Sequence, residues 1–306
     1  MATVRLNPNV ENFIVRMDWA DARNDVPGFA DELVRTYEDG KLIILKNAPF
    51  RIDYDLLNQV SVPKNPRFQK LSDRFITVPK LYRRDVAAWM WQTFADRPLV
   101  YPRFRSEVQR VSAQVRDFIR LVFRDYRFLK TGVSWRFTPT HLESLHLDYF
   151  NPKHDVDYVR LFINIDRAPR VWTVSHQLDE LILRYAQANP VDALQGARTH
   201  DVTQTINHAM LYPLTKLPPE ETDRHVIEFE QGDVWMCETR LNSHQILDGH
   251  RMIATDFYVD PTSMRDPSKR VRTRIERTLE RCHKRADAAI AIPAAAGPAG
   301  ASVRAV

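Results

Sequence analysis

The stretch Ser144-Leu145-His146-Leu147-Asp148-Tyr149-Phe150 carries the clearest pattern in this chain. Apolar Leu145, Leu147 and Tyr149 alternate with the other side chains, and this period of two predicts a β-strand. Residues two apart on a strand project from the same face, so His146 and Asp148 point the same way. An imidazole and a carboxylate placed like this can occupy neighbouring positions on one metal ion. The pair needs a third ligand from elsewhere in the chain.

His244 is the candidate for that third ligand and follows His146 by 98 residues (244 − 146). Gly232-Asp233 separates the apolar runs Val226–Phe229 and Val234–Cys237, which predicts a β-hairpin leading towards His244. Two histidines and one carboxylate form the facial triad of non-haem iron(II) oxygenases, which leaves coordination positions open for a co-substrate and O₂. Zinc hydrolases can use a similar set, so the triad alone does not identify the metal.

Two arginines are candidates for the anchor that a 2-oxoglutarate-dependent iron oxygenase requires. Such an enzyme binds 2-oxoglutarate on the metal and holds its far carboxylate with a buried cation. Arginine suits this role because its planar fork bonds a carboxylate bidentately. Arg160 lies on the predicted strand Tyr158–Ile165, and Arg251 begins the predicted strand Arg251–Val259. Either arginine, or both, can point into the barrel that these strands form.

A purely structural interpretation of the same residues stays open. His146 would then be a core histidine bonded to a backbone carbonyl, and Asp148 would cap a turn. Arg160 and Arg251 would form structural ion pairs or lie at a solvated strand edge. The order of a histidine–aspartate pair, a turn, a distal histidine and a following arginine favours the metal site over this alternative.

The order of helical and strand patterns predicts an α+β protein. Apolar spacing indicates helices at 27–38 and 83–127, which we interpret as a buttress behind a β-sheet, and the period changes to two at Thr131. The expected units are an N-terminal strand and helical buttress (1–130), a β-barrel core (131–262) with an insertion at 176–225 that is a candidate substrate lid, a basic C-terminal helix (263–290) and a disordered tail (291–306).

Composition and charge limit the classes of ligand and partner that we expect for this protein. The chain has 306 residues and a formal net charge of +5, which favours an anionic ligand or surface. The basic residues are spread along the chain and match no nucleic-acid-binding module, so we expect no nucleic-acid partner. Cys237 and Cys282 lack metal-binding spacing, and no apolar stretch has the length of a signal peptide or a membrane span. We expect a cytoplasmic protein capable of peripheral membrane contact, and the sequence does not indicate its oligomeric state.

A set of short motifs, weak before about residue 131 and strong after it, resembles a known family. The motifs are Ser134-Trp135-Arg136, Leu145–Asp148 with Pro152, Arg160–Ile165, Pro169-Arg170-Val171-Trp172, His208–Leu211, Gly232–Trp235, Ser243-His244, Asp256–Tyr258 and Met264–Pro267. Together they are similar to the lipopolysaccharide Kdo hydroxylases, where Kdo is 3-deoxy-manno-octulosonic acid. The resemblance extends over most of the chain.

This resemblance implies a bacterial iron(II)- and 2-oxoglutarate-dependent dioxygenase with a double-stranded β-helix core. Members of that family use O₂ to convert the Kdo of the lipid A inner core to its 3-hydroxy form. The iron ligands it implies are His146, Asp148 and His244. The position of Arg160 fits the family pattern better than that of Arg251.

The resemblance leaves the substrate open, because residues 140–144 and 151–157 beside the metal ligands depart from the family pattern. An acidic sugar would be held by basic residues at the barrel mouth, for which Arg136 and Arg170 are candidates. A related oxygenase acting on a soluble small molecule, such as an amino acid or a biosynthetic intermediate, is one alternative. A non-catalytic, cupin-like binding protein is another.

Overall fold

The protein is described by a computed structural model over residues 1–62, 68–149 and 156–290. Phe150 and Pro152 from the sequence motifs and the tail predicted to be disordered at 291–306 lie outside the described residues. Within this part of the chain, strands and helices both contribute to the core, as the predicted α+β class requires.

The strands form two sheets that face each other. The smaller sheet has the order β1 (Thr3–Arg5), β10 (His225–Phe229), β9 (Arg170–Gln177), β12 (Asn242–Gly249) and β6 (Thr140–His141). The larger sheet has the order β2 (Ile14–Asp18), β3 (Leu42–Lys46), β11 (Val234–Met236), β8 (Leu161–Asn164), β13 (Met252–Val259), β5 (Phe128–Arg136) and β4 (Leu71–Ser72), and β7 (Asp157–Val159) also pairs with β13.

Successive strands of the C-terminal half alternate between the sheets. The chain runs from β8 in the larger sheet to β9 and β10 in the smaller one, returns in β11, crosses to β12 and returns again in β13. Every pair among these strands is antiparallel, and the parallel pair of β2 with β3 lies at the edge of the larger sheet. This winding is a double-stranded β-helix, and the predicted core is confirmed.

The predicted hairpin at Gly232-Asp233 was wrong. Strand β10 pairs with β9 in the smaller sheet, whereas β11 pairs with β3 and β8 in the larger one. Gly232 adopts φ +87°, a left-handed conformation that glycine accepts without strain. The turn therefore carries the chain from one sheet to the other, because both flanking runs find longer-range partners.

The predicted strand at 144–150 is also absent from residues 144–149, and a single antiparallel bridge between His146 and His244 takes its place. The alternation nevertheless holds, since Leu145 and Leu147 are fully buried. The predicted strand at 158–165 is present as β7 and β8, which are interrupted at Arg160. The period-two pattern correctly predicted which face of the backbone each side chain takes. It did not predict that the strand pairing is interrupted in both segments.

Helices cover the outer face of the larger sheet. The predicted helix at 27–38 is α1 (Val26–Glu38), and the helical pattern at 83–127 resolves into α4 (Arg84–Phe94) and α5 (Val100–Val122). Trp135 of β5 is buried against α5 and donates its indole N–H to Ser112 Oγ at 3.1 Å. Two shorter helices, α2 (Tyr54–Gln59) and α3 (Asp73–Thr77), complete this layer.

The insertion and the C-terminal helix form a further apolar cluster. Helices α6 (Leu178–Tyr185), α7 (Thr199–Ile206) and α8 (Val271–Ile290) pack together, and Leu145 and Leu147 contribute to the same cluster. A turn of π-helix, Asn207–Leu211, extends α7. The insertion therefore supports the segment that carries His146 and Asp148, and its role as a substrate lid stays a prediction.

The space between the two sheets is filled at one end by aromatic rings. Phe229 stacks on Trp235 with centroids 3.8 Å apart, and Phe162 stacks on Trp235 at 5.4 Å. Trp172 meets Trp235 edge to face at 5.3 Å. This packing closes the barrel interior on that side of Trp172 and leaves a cavity on the other.

Candidate metal centre

The backbone around His146 and Asp148 is held at every residue although no regular strand forms. His146 exchanges both backbone hydrogen bonds with His244, each 2.9 Å, and the Asp148 N–H donates to the Thr239 carbonyl at 2.9 Å. The Asn207 side chain accepts from the Leu147 N–H at 2.8 Å and donates to the Leu147 carbonyl at 2.9 Å. Asn207 thus fixes the residue between the two candidate ligands.

The three predicted metal ligands meet in space. One ligand atom from each of His146, Asp148 and His244 lies within 4.8 Å of the other two. His146 Nε2 is 3.4 Å from Asp148 Oδ1, and the two imidazole centroids are 4.6 Å apart. Bonds from divalent metals to nitrogen and oxygen ligands are about 2.0–2.6 Å long, so the spacing of these atoms suits a shared ion.

Both histidines are oriented by backbone carbonyls. His146 Nδ1–H donates to the Ser144 carbonyl at 2.6 Å, and His244 Nδ1–H donates to the Asn242 carbonyl at 3.0 Å. A carbonyl only accepts, which places a proton on Nδ1 of each ring and directs Nε2 of each ring towards the triad. Outer hydrogen bonds of this kind orient the imidazoles of metal sites.

Charge and burial prepare the triad for a cation. Burial alone would raise the pKa of Asp148, but the hydrogen bond with His146 and the charges of Arg160 and His244 outweigh it, and the pKa lies well below its usual range. Burial and the neighbouring His146 lower the pKa of His244 to about 4. At neutral pH the site therefore presents a carboxylate and a neutral His244.

Asp148 also has a carboxylate oxygen whose hydrogen-bonding capacity is not used. Its Oδ2 is buried and has no hydrogen-bond donor among the described residues. A buried, ionised oxygen without a donor is costly. The donor set of two imidazole nitrogens and this oxygen fits a divalent transition metal, and the arrangement matches the facial triad of non-haem iron.

The triad opens onto a cavity of about 220 Å³ between the sheets. Its apolar wall includes Trp172, whose ring stacks on His244 with centroids 5.0 Å apart and an interplanar angle of 18°. Its polar wall consists of Lys70, Ser134, Arg136, Glu143 and Arg160. A charged, partly apolar chamber beside three metal ligands is suited to a small anionic molecule.

Arg160, the first predicted anchor, lies in this cavity wall and is already shared between two carboxylates. Its Nη2 is 3.9 Å from Asp148 Oδ2, and its Nη1 pairs with Asp256. Lys70 pairs with Asp256 as well, at 3.1 Å. The Arg160 guanidinium therefore balances the negative charges of Asp148 and Asp256 beside the candidate metal ligands.

Arg251, the second predicted anchor, does not line the cavity, which corrects that expectation. Its Nη1 donates to Asp166 Oδ2 at 2.5 Å, and Nη2 donates to the Val60 carbonyl at 3.2 Å. The arginine joins the β8–β9 turn to the end of α2. Its side chain is turned away because strand β13 begins at Met252, one residue later, and Met252 and Ala254 take the cavity-facing positions.

Sequence reasoning missed Asn207 as a residue that positions the candidate ligands, and it did not predict that Arg170 is fully buried. Asn207 was invisible because no local pattern links it to Leu147, 60 residues earlier (207 − 147). Arg170 did leave a signal, since it is a charged residue in phase with buried Trp172 and Val174 on one strand. Such a residue points into the barrel.

Solved structures share this fold, while no protein-family profile and no curated protein matches the chain. The Kdo hydroxylase KdoO in complex with succinate and Fe(III), a non-haem Fe(II) α-ketoglutarate-dependent dioxygenase, aligns with a TM-score of 0.58 and 15% identity over 87% of this chain and 96% of that one. Its complex with α-ketoglutarate and Fe(III) gives 0.58 and 16%, and the apo form 0.59 and 16%, with the same coverage. The likeness supports the double-stranded β-helix assignment.

Proposed function

We propose that this protein is an iron(II)- and 2-oxoglutarate-dependent dioxygenase that hydroxylates an unactivated C–H bond. The observation that carries the proposal is the set of His146, Asp148 and His244 at the wall of an anion-suited cavity, where one Asp148 oxygen is buried without a hydrogen-bond donor among the described residues. The fold shared with structures described as α-ketoglutarate-dependent dioxygenases supports it.

Each residue of the site then has a defined role in the proposed reaction. Iron(II) with 2-oxoglutarate and O₂ supplies the oxidising chemistry when all are bound. His146 and His244 donate Nε2 to the metal, Asp148 donates a carboxylate oxygen, and Trp172 packs against His244 and excludes water from that side. Arg160, the cavity-lining member of the two predicted anchors, contacts the co-substrate close to Asp148 and offsets the negative charge that collects there.

The decisive experiment measures succinate formed from 2-oxoglutarate by anaerobically iron-loaded protein after exposure to O₂. Asp148→Ala serves as the matched variant, and Kdo-lipid A is either present or absent. Succinate formation that requires iron and disappears in the variant supports the oxygenase. Absence of iron-dependent turnover, with a metal-loaded and folded wild-type protein, refutes it and leaves the cupin-like binding protein.

For the substrate we propose an anionic sugar, in first place Kdo of Kdo-lipid A hydroxylated at the 3-position. The similar structures are described as Kdo hydroxylases, and Lys70 and Arg136 at the cavity suit a sugar carboxylate. Stimulation of succinate formation by Kdo-lipid A, with a hydroxylated product, supports this choice. Turnover without stimulation favours a soluble small molecule such as an amino acid or a biosynthetic intermediate.

We also propose peripheral contact with an anionic membrane through the segment 78–99. Its apolar side chains Tyr82, Trp91 and Leu99 are 81%, 75% and 85% exposed, and Lys80, Arg83, Arg84 and Arg97 lie in the same segment. Exposed aromatic and basic residues together suit the interface of a negatively charged bilayer. In the described part of the chain, no helix is both long and apolar enough to cross a membrane.

Vesicle sedimentation tests this contact. We expect binding to vesicles that contain phosphatidylglycerol, weak binding to pure phosphatidylcholine, and a loss of binding in a Tyr82→Ser/Trp91→Ser variant. Leu129→Ser is a matched control, because Leu129 is 57% exposed on β5 and outside the segment. Equal sedimentation of the segment variant and the wild type contradicts the proposal.

A further inference from the structure

The strand pairing of the larger sheet is interrupted at Arg160 without a change of register. Strand β13 pairs Phe257 with Val159 on one side of the interruption and Ala254 with Phe162 on the other. The two pairs are 3 residues apart on each strand (162 − 159 and 257 − 254), so no residue is inserted as a β-bulge would require. The backbone groups beside Arg160 therefore find partners other than a regular ladder.

On the β13 side, a threonine hydroxyl takes the place of the missing ladder bonds. Thr255 Oγ1 accepts from the Leu161 N–H at 2.7 Å and donates to the Val159 carbonyl at 3.2 Å. Leu161 and Val159 are the neighbours of Arg160 in the chain, and all these groups are buried. One oxygen can serve both peptide groups because a hydroxyl donates and accepts at the same atom.

On the other side, a tyrosine of helix α1 has the same role. Strand β11 ends at Met236, which pairs with Leu161, and so it does not extend to Arg160. Tyr37 Oη accepts from the Arg160 N–H at 3.0 Å and donates to the Tyr158 carbonyl at 3.0 Å. Burial raises the pKa of Tyr37 well above its usual value, so the phenol keeps the proton that it donates.

The two hydroxyls hold the Arg160 backbone from outside the cavity. Arg160 and Phe162 are two residues apart, share the inner face of the sheet and both line the cavity. Tyr37 belongs to the apolar cluster that also contains residues of α5, and neither Tyr37 nor Thr255 lines the cavity. An effect of either hydroxyl on a ligand in the cavity therefore has to pass through Arg160.

The Arg160 side chain occupies a confined position. It is 5% exposed, its Nη1 pairs with Asp256, and its Nη2 lies 3.9 Å from Asp148 Oδ2. Its guanidinium carbon lies 5.1 Å from the centroid of the Phe162 ring. A buried charge cannot move into water at low cost, so a small displacement of the backbone changes where the guanidinium meets a ligand.

We propose that Tyr37 and Thr255 are positioning residues that direct Arg160 into the cavity. This inference rests on the proposed function, in which Arg160 contacts the co-substrate beside Asp148. It also gives helix α1, otherwise part of the buttress behind the larger sheet, a role in the site.

The test removes each hydroxyl and keeps the shape of the side chain. Calorimetry in the absence of O₂ measures 2-oxoglutarate binding to the protein at saturating manganese(II). We expect Tyr37→Phe and Thr255→Val each to bind 2-oxoglutarate roughly 5- to 50-fold more weakly than the wild type. If one of the two variants does not fold, the other carries the test.

A second background shows whether this loss passes through Arg160. Arg160→Gln itself should bind 2-oxoglutarate more weakly than the wild type. Adding Tyr37→Phe or Thr255→Val to it should cause no further loss, because the group that the hydroxyls position is then absent. A merely structural role predicts the same loss in both backgrounds.

Tyr126→Phe and Thr278→Val are matched controls. Each removes one buried hydroxyl that bonds away from Arg160, to Glu38 in the first case and to the Arg274 carbonyl in the second. Urea unfolding measures the stability that each variant loses. The controls should keep the 2-oxoglutarate affinity of the wild type even where their stability falls.

The outcomes separate this inference from the proposed function. A hydroxyl variant that keeps wild-type affinity removes that residue from the role, and retention by both overturns the inference. An equal loss in the Arg160→Gln background, or wild-type affinity in Arg160→Gln itself, overturns it as well. A folded, manganese-loaded wild type that binds no 2-oxoglutarate refutes the proposed function itself.

Discussion

At Asp148, burial and charge act in opposite directions on one carboxylate. Desolvation favours the protonated acid, whereas His146, Arg160 and His244 favour the ionised form and prevail. One oxygen nevertheless lacks a hydrogen-bond donor in the described structure. The lowered pKa means that the ionised carboxylate stabilises the folded protein at neutral pH, and the oxygen without a donor remains available to a cation.

Replacement of this carboxylate should weaken both metal binding and the stability of the metal-free fold. Asp148→Asn keeps the shape and removes the charge. We expect metal affinity to fall by more than about 100-fold, because even changes outside the ligand set cost about 10- to 100-fold. At neutral pH the metal-free variant should unfold at a lower urea concentration than the wild type, because the lowered pKa of Asp148 means that its ionised form stabilises the fold. Manganese titration and urea unfolding measure both effects, and an unchanged metal affinity would contradict the ligand role.

Arg251 should behave as a structural residue. Arg251→Gln removes the ion pair with Asp166, and we expect a loss of about 1–3 kcal/mol at pH 7 with metal affinity unchanged. Burial alone would raise the pKa of Asp166, but the Ala168 N–H and Arg251 lower it overall. A lowered folded-state pKa stabilises the protein above the unfolded value of about 4 and loses this effect as pH falls.

Urea unfolding of wild type and Arg251→Gln at a series of pH values checks this. The difference in unfolding free energy should be largest near pH 7 and shrink as the pH falls below about 4, where Asp166 becomes protonated in the unfolded and then in the folded state. A difference that does not depend on pH would show that Arg251 acts through packing instead of charge.

At the scale of elements, two of the proposed metal ligands lie on a segment that is not itself a regular strand. Leu147 lies between two ligands and bonds the side chain of Asn207, which belongs to the π-helical turn after α7. Leu145 and Leu147 are buried among the insertion helices. The insertion therefore positions the ligands from behind.

This arrangement predicts an effect of Asn207 on the metal without contact to it. Asn207→Ala leaves the Leu147 N–H and carbonyl without partners, which costs about 2–3 kcal/mol of stability. We expect metal affinity to fall by about 10- to 100-fold, as for other outer positions. Calorimetric manganese titration measures this, and Gln204→Ala on the adjacent helix α7 is the control. Wild-type metal affinity in a folded Asn207→Ala protein would exclude a positioning role.

At the scale of the whole molecule, the site joins parts of the chain that are distant in sequence. His244 lies on β12 of the smaller sheet, His146 is bridged to it, and Arg160 lies between β7 and β8 of the larger sheet. A metal bound to the triad links these segments only in the folded state. The metal should therefore stabilise the entire fold and not the site alone.

Thermal unfolding measures this linkage. A metal that binds only the folded protein adds about 2.7 kcal/mol when its free concentration is 100 times Kd. We expect the wild-type Tm to rise on addition of manganese(II), to return to its starting value after EDTA, and to stay constant for Asp148→Asn throughout. An equal rise in the variant would place the stabilising ion elsewhere.

The sequence by itself indicated the proposed ligand set and the class of fold. His146 and Asp148 share a face because they are two residues apart in extended backbone, and this holds even where no strand forms. The helical periods of α1 and α5 and the apolar runs of the strands were equally local properties. Each follows from backbone geometry within a few residues.

Only the tertiary structure decided which strands pair and which arginines face the cavity. The turn at Gly232 gives no information about whether its flanking runs pair with each other or with distant strands. Arg251 pairs with Asp166, 85 residues earlier, and Arg170 is enclosed by the smaller sheet with no hydrogen-bond acceptor among the described residues. Pairing and burial of a charge depend on residues far along the chain, so local patterns cannot specify them.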